Sequence, residues 1–155
     1  TARSLAAVYL AWGRLQAAAE QRKDEVDLLR NRTERLLAQD DRSEHSVRAV
    51  LLWSHPELHP TLWSNALGSM MPAPEGDVTL GVSQVILPRR DGAALEVRLE
   101  KRDAEQAARL GAQAVLTVIF DEGKPGEKVV KLPVVFERGG PPTLRFRLEG
   151  TEVKR

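Results

Sequence analysis

The sequence contains no cysteine, which excludes disulfide staples, thiolate-ligated zinc and a cysteine nucleophile. Histidine is scarce, at three of 155 residues, so few imidazoles are on offer for a metal. Neither sign of charge is in surplus, with 23 Lys plus Arg against 22 Asp plus Glu, and no basic face for nucleic acid is implied. No apolar run approaches the roughly 18 residues of a membrane span. The phosphate-cradling patterns Gly-x-x-x-x-Gly-Lys-Ser/Thr and Gly-x-Gly-x-x-Gly do not occur. Gly81-Val82-Ser83-Gln84-Val85 supplies only the first half of a nucleophile elbow. What is present suits a folded domain: 42% hydrophobic residues and 29% charged ones build a core and remain far from the composition of disorder.

Two composition regimes meet near residue 42 and predict a helical segment over 1–42 followed by an antiparallel β-sandwich over 43–155. Residues 4–39 hold one glycine, Gly13, and no proline, and are mostly good helix formers. Leu5, Trp12, Ala19 and Val26 with Val8, Leu15, Leu29 and Leu36 make a heptad-spaced apolar stripe, which Arg22 and Thr33 interrupt. One long helix satisfies the pattern; so does an αα-hairpin breaking at Glu20-Gln21-Arg22-Lys23-Asp24, with Asp24 capping the second arm. Beyond Asp40-Asp41-Arg42 the period changes to two. Seven runs, 46–54, 61–66, 78–87, 95–100, 112–120, 127–137 and 144–149, read as half-buried strands of a mainly β fold. Asp91-Gly92 signals a two-residue hairpin, and the turns at 121–126 and 138–142 predict that the last strands form a meander. Pro133 within its run predicts an edge strand or a bulge. A short helix over 103–110 is expected, capped by Asp103 and ended by Gly111.

The most pointed local feature is Ser54-His55-Pro56-Glu57-Leu58-His59-Pro60. In an extended segment His55, Glu57 and His59 would face one side, a set able to ligate a transition metal. The two prolines favour a fixed turn instead, His45 has no reason to converge on it, and no metal or other cofactor is expected. Trp53 and Trp63 flank the turn and could stack on a sugar. Met70-Met71-Pro72-Ala73-Pro74-Glu75-Gly76 reads as an exposed apolar loop.

Two stretches carry a family resemblance. Val50-Leu51-Leu52-Trp53, the His-Pro turn and Leu62-Trp63 form the first; Val118-Ile119-Phe120-Asp121-Glu122-Gly123-Lys124-Pro125-Gly126-Glu127-Lys128 forms the second. Together, over about 46–150, they resemble a small β-domain of unknown function in bacterial extracytoplasmic proteins, found downstream of VIT and von Willebrand factor A modules. In that family a Leu-x-Trp strand is followed by alternating aspartates, and a late strand turns through Gly-x-Pro-x-Glu. His55, Glu57 and His59 stand where the aspartates would be, so no acidic or metal-binding role carries over. The resemblance implies a periplasmic or extracellular setting. The expectation is a non-enzymatic interaction or assembly module, part of a larger bacterial envelope or secreted protein. Its partner would be another protein or a module of the same polypeptide, with a monomer favoured over a homodimer. Partner-contact candidates are the helical stripe (Leu5, Val8, Trp12, Leu15), the Met70-Met71 loop and the edge at Pro133. The alternative is a ligand-binding sandwich using Trp53, His55, Glu57, His59 and Trp63.

Overall fold

The structure, a computed structural model, describes residues 2–38, 46–55, 57–77, 80–88 and 92–155. The boundary at Asp40-Asp41-Arg42, His45, Pro56 of the turn and Asp91 of the hairpin signal lie outside these residues.

The helical segment is a hairpin of α1 (Ala2–Ala19) and α2 (Lys23–Leu37). The chain reverses without glycine or proline. The Arg22 amide bonds to the Ala17 carbonyl at 2.8 Å and the Gln21 amide to the Ala18 carbonyl at 3.1 Å, the two bonds of a Schellman cap. Gln21 occupies the left-handed position at φ 59°, a place glycine usually fills, at a cost of about 1 kcal/mol. Asp24 is not the cap of α2: the helix begins one residue earlier, after Arg22, and Asp24 and Glu25 sit in its first turn, where carboxylates suit the positive end of the dipole.

Ten strands follow, β1 (Ser46–Trp53), β2 (Thr61–Ser64), β3 (Met71–Pro72), β4 (Glu75–Asp77), β5 (Val82–Pro88), β6 (Ala94–Arg98), β7 (Gln113–Phe120), β8 (Lys128–Val135), β9 (Thr143–Glu149) and β10 (Glu152–Lys154), with α3 (Lys101–Leu110) between β6 and β7. Each of the seven expected runs contains a strand; the additions are β3, β4 and β10, each of two or three residues at a sheet margin. The strands form two antiparallel five-stranded sheets, ordered β4-β5-β1-β7-β8 and β10-β9-β6-β2-β3. Pro133 lies on β8, at the margin of the first sheet, as expected of an edge strand. A proline keeps its place in a ladder only where its nitrogen faces away from the neighbour, so Pro133 removes a donor from the exposed rim.

The meander expectation is overturned. β5 and β6 lie in different sheets and do not pair, and the 138–142 turn likewise carries the chain from β8 in one sheet to β9 in the other. Of the three expected turns, only the one at 121–126 joins neighbours, β7 and β8. Turn residues encode a reversal of direction; which sheet the next strand joins is decided by burial. Asp103 is not the cap of α3 either, since Glu100 holds that position without a side-chain bond, while Gly111 ends the helix in the left-handed conformation as expected.

The main core lies between the sheets: Val47, Ala49, Leu51, Leu116, Val118 and Phe120 of the first meet Leu62, Leu95, Val97, Leu144, Phe146 and Leu148 of the second, and Ala104 and Ala107 of α3 join the same cluster. The hairpin packs on the opposite side of the first sheet. Val8 is fully buried against Val50 and Val82, with Leu5 and Trp12 around them, burial worth about 1.5–3 kcal/mol for each such side chain. Farther along α1, the Trp12 indole donates from Nε1 to Thr117 Oγ1 at 3.1 Å, and Lys131 of β8 lies over the ring at 3.9 Å. Arg14 closes the dock, its guanidinium forking onto the Glu127 carboxylate and donating to Thr33 of α2. The molecule is thus a three-layer stack of helices, covered sheet and open sheet.

Candidate functional site

The outer face of the covered sheet is a second interior. Arg48, Val50, Val82, Gln84, Thr117 and Ile119 are all buried there, and Arg48 donates to Glu122 at 2.9 Å and to Gln84 at 2.8 Å. These polar contacts tie β1 to β5 and to the 121–126 turn and face no solvent. Leu5, Val8 and Trp12, read as partner candidates, are engaged by this chain's own sheet, and among the described residues the large exposed apolar side chains of the hairpin are Leu15, Tyr9 and Leu28.

The second candidate set is dispersed over three places. Trp53 and His55 line a cleft with Leu58, Pro60, Leu99 and Phe136, whose cavity of about 20 Å³ has room for one water molecule. His55 Nδ1 is buried there. His59 and Glu57 are exposed, and Trp63 stands on the outer face of the open sheet. Among the described residues no three His, Asp or Glu side chains are grouped as metal ligands.

That outer face holds the most developed arrangement of exposed side chains. Strict alternation in β6 and β9 sends Leu95, Val97, Leu144, Phe146 and Leu148 to the core and Glu96, Arg98, Arg145 and Arg147 outward. The register puts Pro72, Trp63, Glu96 and Arg145 in one row across four strands. Glu96 is only 6% exposed because two guanidiniums roof it. Arg98 donates from Nε at 2.7 Å to one carboxylate oxygen, and Arg145 meets the other through Nε at 2.9 Å. The Arg98 contact is a charge-assisted hydrogen bond, the strong class, and the Arg145 contact is an ion pair. Arg98 also lies 3.9 Å over the Trp63 ring, whose Nε1 donates to Thr61 at 2.9 Å. The stack and the ion pairs hold Arg98 still, while the Arg145 side chain stays 81% exposed.

Two features flank this row. Toward β3 the hairpin tip presents Leu67, 85% exposed, and Met71, 48% exposed, with Met70 half-buried. Toward β10 a groove of about 420 Å³ is lined by Ala94, Glu96, Arg145, Arg147, Lys154 and Arg155 among others. The small side chain of Ala94 lowers its floor opposite Arg147. Lys154 is paired with Glu149, whose hydrogen bond and charge raise the ammonium pKa above its ordinary 10.5. The Met70-Met71 loop was legible as an apolar protrusion. The Arg98, Glu96 and Arg145 triad was not singled out, although its signal, charged residues of both signs alternating with core positions on two strands, is present in the sequence.

Compared with known proteins, the chain matches no family model, and neither a curated protein nor a solved structure matches it. Among the described residues no helix is long and apolar enough to cross a membrane.

Proposed function

We propose that the chain is a non-enzymatic protein-interaction or assembly module, part of a larger bacterial envelope or secreted protein. It docks another protein, or another module of its own polypeptide, through the open sheet and its apolar rim. The observation that carries this reading is the placement of Leu67 and Met71. Two large apolar side chains stand in solvent at the margin of a sheet whose outer face no helix of the described residues covers, and exposed apolar clusters rimmed by polar groups mark contact sites. The resemblance to the extracytoplasmic β-domain supports the periplasmic or extracellular setting. A monomer is favoured, because Leu5, Val8 and Trp12 of the helical stripe are covered within the chain. The ligand-binding alternative has less support, as Trp53 and His55, His59, and Trp63 occupy separate places.

A photo-reactive residue substituted at Leu67, in the full-length protein in its native cell, tests the reading. One discrete adduct is expected there, and none from the same residue at Leu110, an exposed leucine on α3. Equal labelling at both positions, or none at 67, refutes it.

A further inference from the structure

The charged half of the open sheet, away from Leu67, has a layout of its own. Arg98 on β6, Arg145 and Arg147 on β9 and Lys154 on β10 form a stepped line across three neighbouring strands. Arg145 and Arg147, two residues apart on one strand, are spaced by about 7 Å, and neighbouring strands by about 5 Å. Glu96 is already committed to two guanidiniums and Glu149 to Lys154, whereas Arg147 has no ion pair among the described residues and is exposed. The Arg145 terminal nitrogens face solvent, since the side chain stays 81% exposed while meeting Glu96 through Nε. The groove between them is walled by four cations, Arg145, Arg147, Lys154 and Arg155, against two carboxylates, Glu96 and Glu149.

We infer that this groove docks an extended acidic segment of a protein, with carboxylates on alternate residues meeting Arg145 and Arg147, and with Lys154, beside Arg147 on the next strand, adding positive charge. An extended chain repeats its side chains on one face every 7 Å or so, the spacing of the two arginines, and guanidinium forks match carboxylates in shape as well as charge. A nucleic-acid strand fits less well, because the one aromatic ring on this face, Trp63, is already covered by Arg98 and offers no free stacking platform. The retained glutamates disfavour a dense uniform polyanion and tolerate a segment whose charges are spaced. The choice of a protein segment rests on the interaction reading above; the anion preference rests on the groove alone.

Fluorescence anisotropy with a labelled octapeptide alternating Asp and Ser tests the inference on the full chain. Saturable binding is expected at about 50 mM salt, weakening steeply as salt rises. The double variant Arg147→Glu, Lys154→Glu leaves Glu96 its partners and should weaken binding by about tenfold or more, while Leu67→Ser should leave it unchanged. No saturable binding, equal affinity in the double variant, or tighter binding of a charge-matched heparin oligosaccharide or oligothymidylate overturns the inference. Lost peptide binding with the adduct at residue 67 retained refutes the groove and spares the interaction reading. A lost adduct with peptide binding retained supports the groove and refutes the apolar rim.

Discussion

The two sheets have the same number of strands and contribute to the same core, yet their outer faces have opposite fates. On the covered sheet, β1 reads Ser-Val-Arg-Ala-Val-Leu-Leu-Trp and β7 reads Gln-Ala-Val-Leu-Thr-Val-Ile-Phe, nearly unbroken apolar runs whose outward residues Val50, Thr117 and Ile119 are as buried as the inward ones. On the open sheet, β6 and β9 alternate strictly, with Glu96, Arg98, Arg145 and Arg147 between core residues. A strand buried on both faces has no need to alternate. The difference between continuous and alternating runs is therefore a record of which sheet the helices cover. The buried charges on the covered side, Arg14 of α1, Arg48 and Glu122, are paired away from solvent, whereas on the open sheet Arg145 and Lys154 keep much of their side chains in solvent although paired, and Arg147 is exposed.

The largest effect should come from breaking a pair on the covered face. Arg48→Ala leaves Glu122, whose side chain is 1% exposed, without its guanidinium and should cost about 3–5 kcal/mol in denaturant melts. A loss below about 1 kcal/mol would show that solvent reaches this seam. Next, Val8→Ala removes packing between α1 and the sheet and should cost about 2 kcal/mol, with the loss shared by helix and strand signals in one transition. On the open face, Arg147→Ala should change stability by no more than about 0.5 kcal/mol in the same melts; a larger loss would mean that this face carries structural weight. The smallest effect concerns Lys154. Its raised pKa means that the pairing with Glu149 stabilises fully below pH 10.5 and fades as pH rises through the higher folded value. The stability difference between wild type and Lys154→Met should be constant and small from neutral pH up to 10.5 and shrink above it; a difference that grew over this alkaline range would reverse the assignment.

Much of this fold was legible because period-two runs are robust: every expected run contains a strand, and Pro133 marked an edge. The helical break was only half legible, since the charged stretch located it but Gln21 in a glycine conformation gave no turn signal. Strand pairing was misread at Asp91-Gly92 because a reversal of direction looks alike whether the next strand stays in its sheet or crosses to the other. The covered face was hidden for another reason. Reading 46–54 and 112–120 as half-buried treated their outward valine, threonine and isoleucine as incidental, when that excess of apolar residues was the imprint of α1. At the candidate site, the apolar Met70-Met71 loop declared itself by composition, but the Glu96 triad joins residues 49 positions apart in the chain and becomes a unit only through the β6–β9 register.

The central claim is that helices and covered sheet form one cooperative unit while the open sheet's outer face is free. Residue-resolved amide hydrogen exchange on the full chain tests it most directly. The account predicts that amides of Ala11 and Trp12 in α1 exchange through the same opening as those of Val50 and Thr117, with free energies equal within about 1 kcal/mol. Opening of α1 and α2 several kcal/mol more easily than β1 and β7, with the sheet still protected, would show a loosely attached hairpin and contradict the account.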